Sequence, residues 1–417
     1  MGVKDRGSGT APKRTFLVHW QNRIMPPRGR RMSSLARHLA DTLDRLEGLD
    51  QVRSLVATRM TAPARLERQG RDLIDFSSND YLGLAGHPLL AERSAEWATR
   101  YGSGSGASRL VTGTFPEHLA IEERIARFKG AEAALLFPSG WQLNAAVLAA
   151  LLKAAPGTLL FTDRLIHGSL HAGAGAHRQI RFRHNDLDHL EELLAEHADR
   201  DSPRLIVTES VFSMDGDRAD LERLARIAGQ HDAFLYLDEA HATGVLGPGG
   251  AGLSHGIAGK FDLVMGTFSK AMGCFGGYVA GSRLLIDYLI NACGGFIFST
   301  APPPAMLGAI DAALDLVPSM EEERARLQDH AAYLRSRLAE NRIDTGASST
   351  QIVPVVVGES GQALALSAAL AAEGLLASAI RPPTVPQGTS RLRIALRASH
   401  TRGDVDQLVR ALLHHLR

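Results

Sequence analysis

Four side chains able to do covalent or proton chemistry stand at or just past the ends of apolar runs. Asp238 and His241 follow Ala233 to Leu237, Ser213 follows Arg204 to Thr208, and Lys270 follows Asp262 to Met265. Lys270 sits among small residues, with Gly273, Gly276 and Gly277 close behind, where a backbone can turn and approach a neighbour closely. A lysine in a tight, apolar setting is costly as a free charge. It becomes sensible as a neutral amine bonded to an aldehyde, the Schiff-base chemistry of pyridoxal phosphate (PLP). A lysine beside a glycine turn is more often a plain surface residue, so the other groups must carry the argument.

PLP needs four things, and the chain has a candidate for each. Lys270 supplies the imine. Asp238 can pair with the pyridine nitrogen and keep it protonated, which makes the ring an electron sink. His167, within Asp163-Arg164-Leu165-Ile166-His167-Gly168-Ser169, can stack on a ring face. His241, Ser213, Thr267 and the amides of Gly140 and Trp141 are donors for the phenolic oxygen and the phosphate. Taken singly each has a bland reading. Asp-Glu-Ala-His starts helices, lone histidines are structural, Trp141 fits a core, and Ser139 either caps a helix or helps hold a phosphate at its N-terminus. Asn79, in the polar loop from Phe76 to Leu84, is either a turn former or a donor to a carboxylate.

The elements that must position these groups alternate regularly. Strands are predicted at Ala133 to Phe137, Leu159 to Thr162, Arg178 to Arg183, Arg204 to Thr208 and Ala233 to Leu237. Helices are predicted at 116–129 (Leu119, Ile125 and Phe128 inward), 142–153, 187–198 and 219–229. Such alternation means an α/β fold with a mostly parallel sheet and helices on both faces, where ligands gather at the carboxyl ends of strands. Upstream, Leu35, Leu39, Leu43 and Leu46 share a helical face, Arg53 falls in a second helical piece, and 62–75 reads as a β-ribbon around Gln69-Gly70-Arg71. The glycine-rich stretch 102–114 lacks a Gly-Lys-Ser/Thr ending, so it reads as a closely packed active-site loop rather than a nucleotide loop. Beyond Pro302-Pro303-Pro304 a smaller α+β region follows. The domains expected are a disordered basic extension (1–32), a helical arm with β-ribbon (33–85), a large PLP-binding domain (86–305) and a small C-terminal domain (306–417).

Composition sets the bounds. The chain has 417 residues, 45% hydrophobic and 22% charged, with a net charge of +1. That is an ordinary globular composition with no whole-chain argument for nucleic acid or an acidic membrane. Two cysteines, Cys274 and Cys293, have no metal-like spacing and fit a reducing compartment. No apolar run reaches membrane-spanning length. Residues 1–35 hold eight Lys or Arg against Asp5 and show no apolar period, which reads as disorder. A transit peptide, a nucleic-acid arm and an upstream start before Met32 are alternatives, the last favoured.

Seven stretches together carry a family resemblance: FSSNDYLGL (76–84), GSGSGASRLVTG (102–113), DRLIHGS (163–169), VFSMDGD (211–217), DEAHATGVLG (238–247), TFSKAMG (267–273) and FSTAPPPA (298–305). From about residue 35 to the end the chain resembles the α-oxoamine synthases. The resemblance implies an aspartate aminotransferase-like (fold type I) PLP-dependent transferase, cytoplasmic and homodimeric with a shared active site. It implies Lys270 as the Schiff-base lysine and base, Asp238 at the pyridine nitrogen, His167 against the ring, and Ser213, His241 and Thr267 as cofactor contacts. Thr300 would serve the partner copy's cofactor phosphate. The segments 380–386 and 391–401 are most similar to the members of the biotin pathway. Those condense L-alanine with pimeloyl-CoA or a pimeloyl-carrier protein. By that likeness Arg381 takes the amino-acid carboxylate, and Thr384 and Arg53 contact substrate. Ser269, where those members often have Gly, and Phe275-Gly276-Gly277-Tyr278 instead resemble the glycine-using members, glycine C-acetyltransferase and 5-aminolevulinate synthase. A non-catalytic partner subunit is a further alternative, one that would be expected to lack the lysine.

Overall fold

The computed structural model describes residues 32–198, 201–257 and 261–416. The expected disordered extension therefore falls, but for Met32, outside the described residues. The chain divides into two compact units between Leu55 and Val56. The first holds α1 (Ser34–Gly48), capped by the Ser33 hydroxyl, which accepts from the Ala36 N–H at 3.2 Å. The second helical piece around Arg53 does not form: residues 51–57 are irregular. Asp50 takes a left-handed φ of 54°, which ends the helix, and the β-branched Val52 and Val56 do not restart it.

The second unit opens with the expected ribbon, β1 (Thr58–Ala62), β2 (Arg65–Arg68) and β3 (Arg71–Asp75). Gln69 and Gly70 both take positive φ, 55° and 75°, as a two-residue hairpin turn requires. Helices α2 (Pro88–Tyr101) and α3 (Pro116–Lys129) lead into a seven-stranded sheet. Its strands are β4 (Ala133–Phe137), β5 (Leu159–Asp163), β6 (Gln179–Phe182), β7 (Arg204–Glu209), β8 (Ala233–Asp238), β9 (Leu263–Thr267) and β10 (Gly277–Gly281). Between them run α4 (Gly140–Ala154), α5 (Gly168–Ala174), α6 (Leu187–Glu196) and α7 (Leu221–Gln230). The order is β4-β10-β9-β8-β7-β5-β6, and β10 alone is antiparallel to its neighbours. Side chains alternate between two cores as strand geometry demands. Leu205, Val207 and Tyr236 face one, Ile206, Leu235 and Leu237 the other.

The chain continues through α8 (Arg283–Ala292), α9 (Gly294–Ile297), α10 (Pro304–Leu316) and α11 (Glu321–Glu340). It ends with β11 (Ile352–Gly358), α12 (Ser360–Ala372), β12 (Leu375–Leu376), β13 (Ser378–Ile380), β14 (Ser390–Ala395) and α13 (Arg402–His415). Strands β11, β14 and β13 form a separate antiparallel sheet, while β12 pairs in parallel with β3.

Two packing expectations are corrected. Leu119 is 53% exposed; α3 buries His118, Ile121, Glu122 and Ile125 instead. Glu122 is held inside because Arg109 of the glycine-rich loop binds both its oxygens, at 2.7 and 2.9 Å. Trp141 is 56% exposed and is not a core residue.

Candidate active site

Strands β7, β8 and β9 are parallel, with Glu209 opposite Asp238 and Asp238 opposite Met265. Their carboxyl ends therefore lie along one sheet edge, where ligands bind in open α/β sheets. There a cavity of 250 Å³ is lined by Gly140, Trp141, His167, Asp238, His241, Thr267 and Lys270, seven of the residues expected from sequence.

Lys270 follows β9 and reaches this cavity half-buried. Among the described residues no side chain hydrogen-bonds its amine. Burial pulls its pKa down to about 8, against the opposing pull of Asp238 and Glu209. Asp238 ends β8, buried, with one oxygen accepting from Asn144 Nδ2 at 2.8 Å and the other from the Ala240 N–H at 2.9 Å. Asn144 is fixed in turn by the Tyr236 hydroxyl, 2.7 Å from its Oδ1, so the carboxylate cannot swing. Glu209 ends β7 fully inside the protein, and its Oε1 has no partner. Burial, then the neighbouring Asp238 charge, pushes its pKa well above the usual carboxyl range.

Two neutral histidines flank the lysine. His167 is the N-cap of α5, its Nδ1 accepting from the Ser169 N–H at 3.2 Å, which leaves Nε2 as the protonated nitrogen. Burial holds its pKa below the ordinary imidazole value. Trp141 meets it edge-on, with ring centroids 5.9 Å apart. His241 is depressed further, by burial and then by Lys270 and Arg393. Its Nδ1 lies 2.7 Å from the Tyr81 hydroxyl, which also donates to Asn79 Oδ1 and accepts from Arg393. Ser139 does cap α4, accepting from the Gln142 N–H at 3.2 Å, and also lines the cavity. Thr267 is buried and hydrogen-bonds the Gly276 carbonyl at 2.8 Å.

Other expected residues do not line the cavity. Asn79 connects to it through Tyr81. Ser213 lies in the loop after β7, its carbonyl accepting from Arg393 Nε. Thr300 pairs with Ser108 in an isolated bridge. Arg381 and exposed Thr384 sit together after β13, the Thr384 N–H donating to the Arg381 carbonyl at 3.1 Å. Arg53 belongs to the first unit, where it donates to the Gln51 carbonyl. Sequence reasoning missed Glu209, Asn144 and Tyr81. A signal existed for Asn144, a polar residue inside the apolar run of α4. Glu209 and Asp238 both end runs of Leu, Ile, Val or Tyr, a parallel that could have been drawn.

These residues fit PLP. An unpartnered amine with a lowered pKa faces a fixed carboxylate, with free N–H groups at the start of α4 beside them. The family model for aminotransferase class I and II matches residues 71–412. The chain belongs to the aminotransferase class I and II family. Within that family it is 64% identical over 357 residues to a putative 8-amino-7-oxononanoate synthase of Bordetella pertussis, covering 84% of this chain and 90% of the relative. It is 57% identical over 377 residues to the 8-amino-7-oxononanoate synthase of Gluconacetobacter diazotrophicus, covering 89% and 94%. Among solved structures, a serine palmitoyltransferase holding PLP as an internal aldimine superposes with a TM-score of 0.85 at 28% identity, over 92% of this chain and 98% of that one. The fold is therefore that of the fold-type I PLP-dependent transferases, as the motifs implied. Among the described residues no helix is long and apolar enough to cross a membrane.

Proposed function

We propose that this chain is a PLP-dependent acyltransferase of biotin biosynthesis. It condenses L-alanine with pimeloyl-CoA, or with a pimeloyl-carrier protein, giving 8-amino-7-oxononanoate, free CoA or carrier, and CO2. The observation that carries the reading is 57% identity over 94% of a relative of that name. The lowered amine of Lys270 opposite Asp238 supports it from the chemistry.

When bound, PLP supplies an aldehyde that condenses with amines and a ring that disperses negative charge left at the amino acid's α-carbon. Lys270, its amine pKa lowered to about 8, would be the group to hold that aldehyde and, as a free amine, would take the α-proton on Nζ. Asp238, oriented by Asn144 and the Ala240 N–H, holds the proton on the ring nitrogen. His167, lining the cavity as a neutral imidazole, would lie against the ring without repelling a protonated one. His241, Ser213, Thr267 and the amides of Gly140 and Trp141 hold the phenolic oxygen and phosphate, with the dipole of α4 favouring the anion. Arg381 would bind the alanine carboxylate, with Asn79 and Thr384 on the substrate. Thr300 serves the phosphate of a second copy, in a homodimer with a shared active site. A helical arm and ribbon, a PLP domain over 86–305 and a C-terminal domain over 306–417 divide these tasks, in a cytoplasmic enzyme.

The test is CoA release by the PLP-loaded protein, crossing L-alanine, glycine and L-serine with pimeloyl-CoA, acetyl-CoA and palmitoyl-CoA. Release with alanine and pimeloyl-CoA alone is the expected result. Release with glycine and a short acyl-CoA would transfer the chain to the glycine-using members, the reading favoured by Phe275-Gly276-Gly277-Tyr278. Serine with palmitoyl-CoA would place it with its structural neighbour.

A further inference from the structure

We infer that His184 is a positioning residue, a doubly protonated imidazolium that ties the loop carrying His167 to the loop carrying Ser213. Its consequence for the cofactor rests on the PLP reading above; its geometry does not.

His184 lies just past β6. Its Nδ1 is 3.0 and 3.3 Å from the two oxygens of Asp163, and its Nε2 is 2.9 Å from Asp217 Oδ2. Asp163 ends β5 with its side chain fully buried. Its oxygens also accept from the N–H groups of Leu165 and Asn185, each at 2.8 Å. Both Asp163 oxygens therefore already act as acceptors, each with a further lone pair for the ring. Asp217 receives both of its contacts on Oδ2, which accepts from Asn185 Nδ2 as well as facing His184, while its buried Oδ1 has no partner. Each ring nitrogen of His184 thus faces an acceptor, and a ring that donates from both is an imidazolium. Burial works to strip the proton, but the two carboxylates outweigh it and push the pKa up to about 10. The charged groups facing the ring are Asp163 from β5 and Asp217 from the loop after β7. Neighbouring Arg183 is turned to Asp186 at 2.7 Å.

The two carboxylates belong to the two loops that matter. Asp163 opens the turn that leads to His167. Asp217 closes the loop holding Ser213: the Phe212 N–H donates to its carbonyl at 3.1 Å, and the Gly216 N–H donates to the Phe212 carbonyl at 2.9 Å. Gly216 is required there, since a Cβ would come 1.9 Å from the Ile352 carbonyl oxygen. The His184 ring stands edge-on to Phe212, with centroids 4.4 Å apart, and so braces the residue before Ser213. Neither loop has another charged tie of this kind to the other among the described residues.

H184Q is the informative variant. Its amide can donate to one carboxylate while its oxygen meets the other. The dissociation constant of PLP from the holoenzyme should rise on the order of tenfold. The visible circular dichroism of the bound chromophore should change, and kcat should fall with little change in KM for L-alanine. D217N, which keeps the fold if H184Q does not, should move the same readings in the same direction by less. In ¹⁵N-histidine-labelled wild-type protein, both His184 ring nitrogens should stay protonated through about pH 9. Loss of thermal stability in both variants, with PLP dissociation and visible circular dichroism unmoved, would reduce His184 to a purely structural role. A His184 signal that titrates near the ordinary 6.5 would overturn the imidazolium. Wild-type protein that binds no PLP would instead sink the cofactor reading, and the nitrogen signals would still decide the clamp.

Discussion

A buried lysine and a half-buried one face two consecutive acids, and they have opposite fates. Asp238 and Glu239 are neighbours at the end of β8 and point to opposite sides of the sheet edge. Glu239 meets Lys129 at 2.6 Å, with the two side chains 0% and 1% exposed. Every group there is used: Lys129 also donates to the Ala251 carbonyl, and Glu239 accepts from the Ser254 N–H and hydroxyl at 2.9 and 2.7 Å. Burial disfavours the Lys129 ammonium, but Glu239 outweighs it and holds the pKa above the usual lysine value. Lys270, by contrast, has no direct partner, and burial wins. A saturated pair holds an element in place. An unsaturated one keeps reactivity in reserve.

The comparison breaks most sharply at Lys270. K270A should lower kcat/KM by on the order of 10³–10⁴-fold, since both the imine and the proton acceptor are lost. Its visible PLP band should vanish while the thermal midpoint stays near wild type. At Lys129 the effect should invert. K129M leaves Glu239 buried without its counter-charge and should cost ~3–5 kcal/mol of stability in urea denaturation. The double variant K129M/E239Q removes the stranded charge but keeps an acceptor for Ser254, so it should recover most of that loss. If K129M instead spared stability and abolished PLP binding, the division between structural and reactive lysine would be wrong.

The difference between the two lysines is also where sequence reading reached its limit. The alternation of strands and helices was legible because it rests on period and composition. Ala133 to Phe137 and Pro116 to Lys129 are both elements with the expected ends. Strand β10 was not, because Gly276-Gly277-Tyr278-Val279-Ala280 reads as a glycine loop until β4 and β9 offer it edges on both sides. Lys270, Asp238, His167 and His241 were legible as reactive types at strand ends and turns. Glu209 gives no such signal, since a lone acid after an apolar strand is normally solvated; its burial comes from β8 beside it and the backbone at His167. The helical piece expected around Arg53 does not form, because Asp50 takes a left-handed φ and 51–57 stay irregular.

The state of Lys270 can be sharpened by the pH dependence of PLP capture by the apoprotein. The neutral amine is the nucleophile, so capture should speed up as pH rises through about 8. From pH 7 to 8 the rate should increase about fivefold, and from 8 to 9 less than about twofold. Lys129 stays charged across this range and contributes nothing. A rate still climbing about tenfold per unit above pH 8 would mean an ordinary, unperturbed lysine, and the contrast between the two sites would collapse.

The smallest effect should come from Glu209. Two carboxyls, Glu209 and Asp238, lie side by side at the ends of β7 and β8, and they are unequally served. Asp238 accepts from Asn144 and the Ala240 N–H, which stabilises its charge, while Glu209 Oε1 accepts from nothing. The proton therefore belongs on Glu209. A carboxyl with a raised folded-state pKa gives stability that is full below the unfolded value and declines as pH rises above it. E209Q, which mimics the protonated form, lacks that decline. It should match wild type within ~0.5 kcal/mol near pH 4, then gain on it by at most ~1.4 kcal/mol per pH unit as pH rises. Urea denaturation of apoprotein over that range measures the gap. Parallel curves for the two proteins would put a charge on Glu209. Lys270 would then have an ionised partner on each side, and its amine could not be the reactive member of the pair of lysines.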